Sequence, residues 1–164
     1  GRIRTVEVRG SDYLGRGAAT IWTLLVLPRL LAGKRAFVPA DLDAPHTWTN
    51  PLDVALLLVT VAGDASAWGR AWHVPSVEPR SIRQLCNDAT RVANVRPARI
   101  ARMPYPVLWA GGVFDPTVRE LRETQYQFTA PFVLDSSAAQ KTFGRRPTAY
   151  EDSLRQTIDG LRVG

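Results

Sequence analysis

The stretch Thr5-Val6-Glu7-Val8-Arg9-Gly10-Ser11-Asp12-Tyr13-Leu14-Gly15 decides how the rest of the chain is read. Its first five residues alternate apolar and polar, the period of a half-buried β-strand, and Gly10 cuts the run off. Gly15 and Gly17 mark a loop. Ala18 to Ala32 then reads as a helix that is apolar nearly all round, through Ile21, Trp22, Leu24, Leu25, Leu27, Leu30 and Leu31. A helix of that kind is expected to be buried. Pro28, which lacks an N–H and crowds the preceding turn, is expected to kink it. The strand Thr5–Arg9 starts only four residues into the chain and has no obvious partner, so it is expected to be an orphan edge.

Outward from this opening, helices are better marked than strands. Ala36-Phe37-Val38 is a short strand. Asn50-Pro51-Leu52-Asp53 is a strong helix start, with Asn as N-cap, Pro at the first helical position and Asp near the positive end of the dipole. That helix runs from Leu52 to Ala62, and Gly63 is available to end it. Arg70 to Val74 alternates as a strand and stops at Pro75. Ser81-Ile82-Arg83-Gln84 has capping-box spacing, and behind it Ile82, Leu85, Cys86, Ala89 and Ala93 share one helical face. Arg99–Met103 reads as a strand, Tyr105–Gly112 and Asp115–Thr124 as helices, and Phe132–Leu134 as a strand. Asp135 caps a short helix ending at Gly144. Thr148 and Glu151 have capping-box spacing before a last helix, whose stripe is Tyr150, Leu154, Ile158 and Leu161. Several well-capped helices with a few short strands define a mixed α/β chain, without internal repeat or low-complexity tract.

Composition narrows the function classes. The chain has 164 residues, 45% hydrophobic and 22% charged, as in a soluble globular domain. One domain, residues 1–164, is the expectation at this length. A single cysteine leaves no intrachain disulfide, and with two histidines it leaves no Cys/His structural zinc cluster. The uncharged stretch Gly17–Pro28 is short of the ~20 apolar residues of a membrane span, and no signal-peptide pattern is present. No membrane association and a cytoplasmic location are expected. The net charge is +6, and 19 of the 21 basic residues are arginine. The charge is dispersed: residues 36–69 carry four acids and no base, and no basic run or aromatic-interleaved basic motif occurs. Nucleic acid is therefore not the expected partner.

The chemistry-bearing motifs are mostly absent. There is no nucleophile elbow, phosphate-binding glycine loop or metal-ligand spacing. Gly15-Arg16-Gly17 supplies two glycines of a dinucleotide fingerprint and lacks the third, and loop geometry explains it as well. Cys86, on an apolar helix face without a neighbouring base, reads as a small core residue. Asp53 reads as a helix cap and no more. His73, on an alternating strand, reads as a packed or solvent-facing side chain.

The order of segments carries more. Arg9 to Gly15 follows a strand. Asp41-Leu42-Asp43-Ala44-Pro45-His46-Thr47-Trp48-Thr49 leads into Leu52-Asp53-Val54-Ala55. Then come Gly69 to Pro75, Phe114 to Glu120 with Tyr126-Gln127-Phe128, Asp135-Ser136-Ser137, and Phe143-Gly144 before Pro147-Thr148. This series resembles the C-terminal, substrate-binding half of NAD-dependent epimerase/dehydratase proteins of the extended short-chain dehydrogenase/reductase family, over essentially all 164 residues.

The resemblance implies a partial Rossmann-like α/β fold, with residues 1–17 the last part of the sheet and 18–164 the substrate-binding region. It implies the absence of the N-terminal half, which in the family holds the glycine fingerprint and the Tyr-x-x-x-Lys acid/base pair. The four tyrosines Tyr13, Tyr105, Tyr126 and Tyr150 are followed four residues on by Gly17, Trp109, Ala130 and Leu154, never by Lys. No catalytic residue and no metal ligand is therefore assigned to this chain.

By the same resemblance Gly10 and Ser11 lie beside the nicotinamide, while Asp12, Tyr13, His46, Arg119, Arg122 and Tyr126 fall at substrate-binding positions. Alternatives stand beside several of these. Asp12 is equally suited to capping the loop ahead of the next helix, and Arg119 and Arg122 to a solvated face of ion pairs. His46 stands where nucleotide-sugar epimerases place a phosphate-gripping Arg; it lacks the fixed charge and fork, and a structural role in its loop is the alternative. The function implied is that of the substrate half of an NAD(P)-dependent oxidoreductase, inactive alone, with NAD or NADP in the intact enzyme and none bound by this chain. Its partners are the missing half, a small-molecule substrate and further copies of itself, with the apolar Ala18–Ala32 helix as a docking surface. The alternative function is a non-enzymatic module that binds a small ligand or a protein.

Overall fold

The computed structural model describes residues 3–114 and 126–163. In chain order the elements open with β1 (Glu7–Arg9), β2 (Asp12–Tyr13), a π-helical turn (Trp22–Val26) running into α1 (Leu27–Leu31), β3 (Ala36–Val38), β4 (Pro45–His46) and β5 (Trp48–Thr49). There follow α2 (Pro51–Gly63), a 3₁₀ turn (Ala65–Ala67), β6 (Ala71–His73), β7 (Arg80–Ser81), α3 (Ile82–Val92) and β8 (Ile100–Arg102). The chain continues with α4 (Tyr105–Phe114), α5 (Tyr126–Thr129), α6 (Ser137–Phe143) and α7 (Tyr150–Val163). Two compact units emerge: Gly1–Thr20 with Thr47–Glu78 and Leu134–Gly164, and Ile21–His46 with Pro79–Val133.

In the first unit β1 runs parallel to β6, with Glu7, Val8 and Arg9 opposite Ala71, Trp72 and His73. The strand expected to be an orphan therefore has a partner inside its own chain. Alternation shows that a segment is a strand, but not which distant strand completes it. The orphan strand was the ground for expecting self-association, and this pairing removes it. Between the two strands in sequence lies α2, so that β1, α2 and β6 form a β-α-β crossover. Leu57 and Val61 of α2 pack with Ala67, Trp72, Val74 and Ala139, and Val6, Val8, Val54 and Phe143 close the cluster. The Trp72 ring meets Phe143 edge-on at 4.7 Å, and its indole N–H donates to the Ala67 carbonyl at 2.9 Å. A second parallel pairing joins β2 to β5.

The start of α2 is as its sequence predicts: Asn50 Oδ1 accepts from the Leu52 amide at 2.9 Å, and Pro51 occupies the first turn. The last helix, α7, buries Leu154 and Ile158 as expected, together with Ser153 and Thr157. It begins at Tyr150, and Thr148 gives both its amide and its hydroxyl to Asp53.

In the second unit β3 pairs parallel with β8, as expected of two strands, and β4 pairs antiparallel with β7. The Phe132–Leu134 strand shrinks to a single bridge between Phe132 and His46. The first helix begins at Ile21, not Ala18. Pro28 does not bend a continuous α-helix. Its constraint appears as a wide π-turn ahead of it, in which the Leu27 amide bonds the Trp22 carbonyl, and α1 starts with Pro28 in its first turn. Nor is the helix buried all round: Trp22, Val26, Leu27 and Leu30 are buried, while Leu24 and Leu25 are exposed. Overall apolarity does not fix which faces find a neighbour.

Both halves of the capping box at α3 form, Gln84 N donating to Ser81 Oγ and Ser81 N to Gln84 Oε1. The face Ile82, Leu85, Cys86, Ala89 and Ala93 is buried as the spacing predicts. The expected helix Asp115–Thr124 lies outside the described residues. Among the described residues, no helix is long and apolar enough to cross a membrane.

Two neighbouring leucines of α2 test this packing. Leu57 is fully buried and Leu58 is exposed. Leu57→Ala is expected to lower unfolding free energy by about 2–5 kcal/mol, and Leu58→Ala to change it by no more than about 0.5 kcal/mol. Urea denaturation of both variants reads the difference.

Candidate functional site

In open parallel α/β sheets, ligands bind beyond the carboxyl ends of the strands. Past β1 lie Gly10, Ser11, Asp12 and Tyr13; past β6 lie Val74, Pro75 and Ser76. Hydrogen bonds stitch the two strand ends together. The Ser11 amide donates to Thr49 Oγ1 at 3.0 Å, Thr49 Oγ1 lies 3.1 Å from Ser76 Oγ, and Ser76 Oγ donates to the Val74 carbonyl at 3.0 Å. Ser76 N donates to Ser136 Oγ, which also accepts from Gln140. Sequence reasoning missed Thr49, Ser76 and Ser136, since a single serine or threonine carries no spacing signal.

Gly10 sits under the Tyr13 ring. A Cβ at this glycine would stand in ordinary contact with Thr49 Cγ2 and Tyr13 Cε1, at 3.4 Å each. Tyr13 itself is exposed and Asp12 half-buried, and both are held in β2 opposite Trp48 and Thr49. Gly10, Ser11, Asp12 and Tyr13 are thus brought together on one loop and strand.

Beneath them lies a polar junction. Asn50 Nδ2 donates to Ser153 Oγ at 2.9 Å and to Gln156 Oε1 at 3.2 Å on α7. The Gly15 amide donates to Thr157 Oγ1 at 2.8 Å. Asp53 is more than the helix cap it was read as: it is buried, and its carboxylate accepts from the Thr148 amide and hydroxyl at 2.8 Å each. Local spacing around residue 53 cannot show a partner 95 residues away. A small, partly open cleft lies here, lined by Leu14, Trp48, Asn50, Asp53, Ser76 and Thr148 among others.

His46 belongs to the second unit. It is buried, with its ring stacked on Phe128 and Phe132 at 5.3 Å from each. Arg119 and Arg122 lie outside the described residues, as does the side chain of Tyr126, which opens α5. His73 Nδ1 is 2.8 Å from the Asp135 carbonyl. Burial pushes the Cys86 thiol up to about 12, against the opposing pull of the Arg83 guanidinium. Asp135 is held below the ordinary carboxylate range by the amide and hydroxyl of Ser137, at the start of α6. Among the described residues, no group of three or more His, Cys, Asp or Glu is placed to hold a metal ion.

With strands, crossover and loop in place, the fold is that of the C-terminal part of NAD-dependent epimerases of the extended short-chain dehydrogenase type. The chain is similar to UDP-glucuronic acid 4-epimerase from Bacillus cereus, in complex with UDP-glucuronic acid and NAD, at TM-score 0.73 and 13% identity, covering 96% of this chain and 45% of that one. It is also similar to UDP-glucose 4-epimerase from Thermotoga maritima, with UDP-glucose, at TM-score 0.71 and 13% identity over 98% and 47% of the two chains. RMD from Pseudomonas aeruginosa, complexed with NADPH, matches at TM-score 0.67 and 16% identity over 96% and 47%. The chain spans about half the length of these structures. No protein-family model and no curated protein matches it.

Two outcomes check this geometry. Asp53→Ala removes a charge-assisted acceptor and is expected to cost about 2–3 kcal/mol, read by thermal or urea unfolding. Cys86, held neutral by burial, is expected to resist iodoacetamide in the folded chain at pH 8 to 9 and to react on addition of denaturant; mass spectrometry of the adduct reads it. Labelling of the native chain at the rate of a free thiol contradicts the buried placement.

Proposed function

We propose that this chain is the substrate-binding half of an NAD(P)-dependent epimerase/dehydratase-like oxidoreductase, inactive alone and completed by a nucleotide-binding half. The observation that carries the reading is the near-complete alignment of the chain with about half of each epimerase structure. The loop Gly10–Tyr13 at the carboxyl end of a parallel strand supports it. The intact enzyme transfers hydride at an alcohol or ketone carbon of a small molecule, chemistry that the nicotinamide supplies when bound.

The residues present fit an edge contact to the cofactor rather than its anchorage. Gly10 offers backbone without a side chain, and the Ser11 amide is already engaged by Thr49. Asp12 and Tyr13 are the side chains of the loop proposed to touch substrate; Arg119, Arg122 and Tyr126 are proposed as further substrate-binding residues. For His46, stacking between two phenylalanines favours the structural role over a grip on phosphate.

An anchorless site binds weakly. Each lost charge-assisted hydrogen bond is worth about 1.5–3 kcal/mol, and about 1.4 kcal/mol is tenfold in affinity. Calorimetry on the 164-residue chain is expected to show no NAD or NADP binding at micromolar concentration. The chain alone is expected to turn over no alcohol or ketone with either cofactor, and tight dinucleotide binding or turnover by it sinks the half-enzyme reading. His46→Ala is expected to lower thermal stability sharply and to leave substrate affinity of the assembled enzyme unchanged. The opposite pattern assigns His46 to the substrate.

A further inference from the structure

Positive charge that is dispersed along the sequence is gathered by the fold of the second unit. Residues 21–40 and 89–114 hold seven of the 21 basic residues and none of the 15 acids. The 14 bases and 15 acids elsewhere come to −1, so these two segments account for the whole net charge of +6. The parallel pairing of β3 with β8 brings them side by side. The Ala36 amide donates to the Arg99 carbonyl at 3.0 Å, the Lys34 amide to the Arg29 carbonyl at 2.8 Å, and Arg29 Nε to the Arg35 carbonyl at 3.1 Å. Arg29, Lys34, Arg35 and Arg99 thus meet at the amino ends of the two strands, with Arg96 in the loop just before β8, and all five are exposed. Among the described residues, Arg91 alone of the seven bases makes an ion pair, with Asp88.

Next to these cations the helical stretch Trp22–Leu31 is apolar on its outward face. Trp22, Val26, Leu27 and Leu30 are buried, whereas Leu24 and Leu25 are 60% and 56% exposed. Pro28, Arg29 and Ala32 are exposed too, and helical spacing sets them on the side of Leu24 and Leu25. Surface helices ordinarily place polar residues there. Arg29 belongs to both features, since it lies on this face and its guanidinium reaches Arg35. A membrane surface is recognised by two signals together, apolar side chains that enter the acyl boundary and cations that meet anionic headgroups. Arginine suits the second role, because its planar fork matches phosphate. A short apolar run excludes a span, but not a face that lies on a bilayer.

We infer that the Leu24–Leu25 face and the cations Arg29, Lys34, Arg35, Arg96 and Arg99 form one docking surface, whose occupant is an anionic phospholipid bilayer on which the second unit lies. This departs from the expectation of no membrane association, and it gives to lipid the helix expected to receive a missing half. Other occupants answer one signal of the two. Nucleic acid takes the cations and leaves Leu24 and Leu25 in water. A second copy covers the leucines, yet a two-fold axis sets the same cations against each other. The Gly10–Tyr13 loop has no part in this surface, so the surface and the proposed function can fail separately.

The test sediments the 164-residue chain with vesicles of phosphatidylcholine alone and of phosphatidylcholine mixed with phosphatidylglycerol. Binding about tenfold tighter or more to the anionic vesicles is expected, weakening as salt rises. Arg35→Gln combined with Arg99→Gln is expected to weaken it about tenfold or more and to flatten the salt dependence. Leu24→Ser combined with Leu25→Ser is expected to weaken it by a similar factor, about tenfold, with the salt dependence kept. Both variants are expected to match the parent in circular dichroism and urea unfolding. Leu58→Ser, on the exposed face of α2, is expected to bind as the parent does. Lys34→Gln and Leu25→Ser alone, each expected to weaken binding about fivefold, carry the same two arms should a double variant lose its fold. The inference fails if the chain ignores anionic vesicles or binds both kinds equally, or if a folded arginine or leucine variant binds as the parent does. It fails as well if a single-stranded oligonucleotide displaces the vesicles and binds the leucine variant as tightly as the parent, which assigns the cations to nucleic acid. A leucine variant whose one effect is to split a dimer of the chain assigns the face to a second copy and overturns it too.

Discussion

The first unit depends on the junction at Asn50 and Asp53. Its three stretches are far apart in sequence, so each must be brought home against loop entropy before packing rewards it. Asn50 does this with one side chain: Oδ1 caps α2, while Nδ2 reaches Ser153 and Gln156 across more than a hundred residues. Asp53, one turn on, receives Thr148 twice. Gly15 completes the knot. At φ +150° a side chain is disfavoured, and a Cβ there would approach Pro51 Cδ to 2.9 Å and Asn50 Nδ2 to 3.0 Å. Each of these polar groups is buried or nearly so, and losing one partner leaves the other desolvated and unpaired, which costs more than the bond contributes.

From that junction the geometry of the site follows. With the first turn of α2 fixed, Leu57 and Val61 press onto Trp72 and Val74, and β6 is held beside β1. The loop leaving β1 then has no freedom to wander: Ser11 is tied to Thr49, Thr49 to Ser76, and Gly15 to α7. The position of Tyr13 over Gly10 is the product of contacts to all three stretches of the unit. A substitution that loosens Asp53 is thus expected to disturb Tyr13 without touching it.

Features settled within one turn of chain were legible in the sequence. The Asn50 cap, the Ser81–Gln84 box and the buried face around Cys86 depend only on neighbours three or four residues away, and all three are present. Long-range choices were not legible. Nothing around Thr5–Arg9 announces Ala71–His73 as its partner, and two-residue strands such as β2, β4, β5 and β7 are too short for alternation to register. The stripe of α7 was read through Leu154 and Ile158. Ser153 and Thr157 are equally buried, because their hydroxyls serve Asn50 and Gly15. At the site, the resemblance picked out Gly10 to Tyr13, and the serine–threonine relay that holds them went unseen.

The chemistry that remains available bears on what such a unit can contribute. The Cys86 thiol is buried and held protonated. His46 is enclosed by phenylalanine rings in the second unit, and His73 is engaged at the Asp135 carbonyl. The Ser11 amide and the Thr49 and Ser76 hydroxyls bond one another and the backbone, which stiffens the loop. A nucleophile or a general acid needs a neighbour that shifts its proton affinity towards neutrality; a positioning surface needs only to hold its shape. Preorganisation of this kind is worth as much to a reaction as a reactive group, since it fixes a substrate's orientation before chemistry begins.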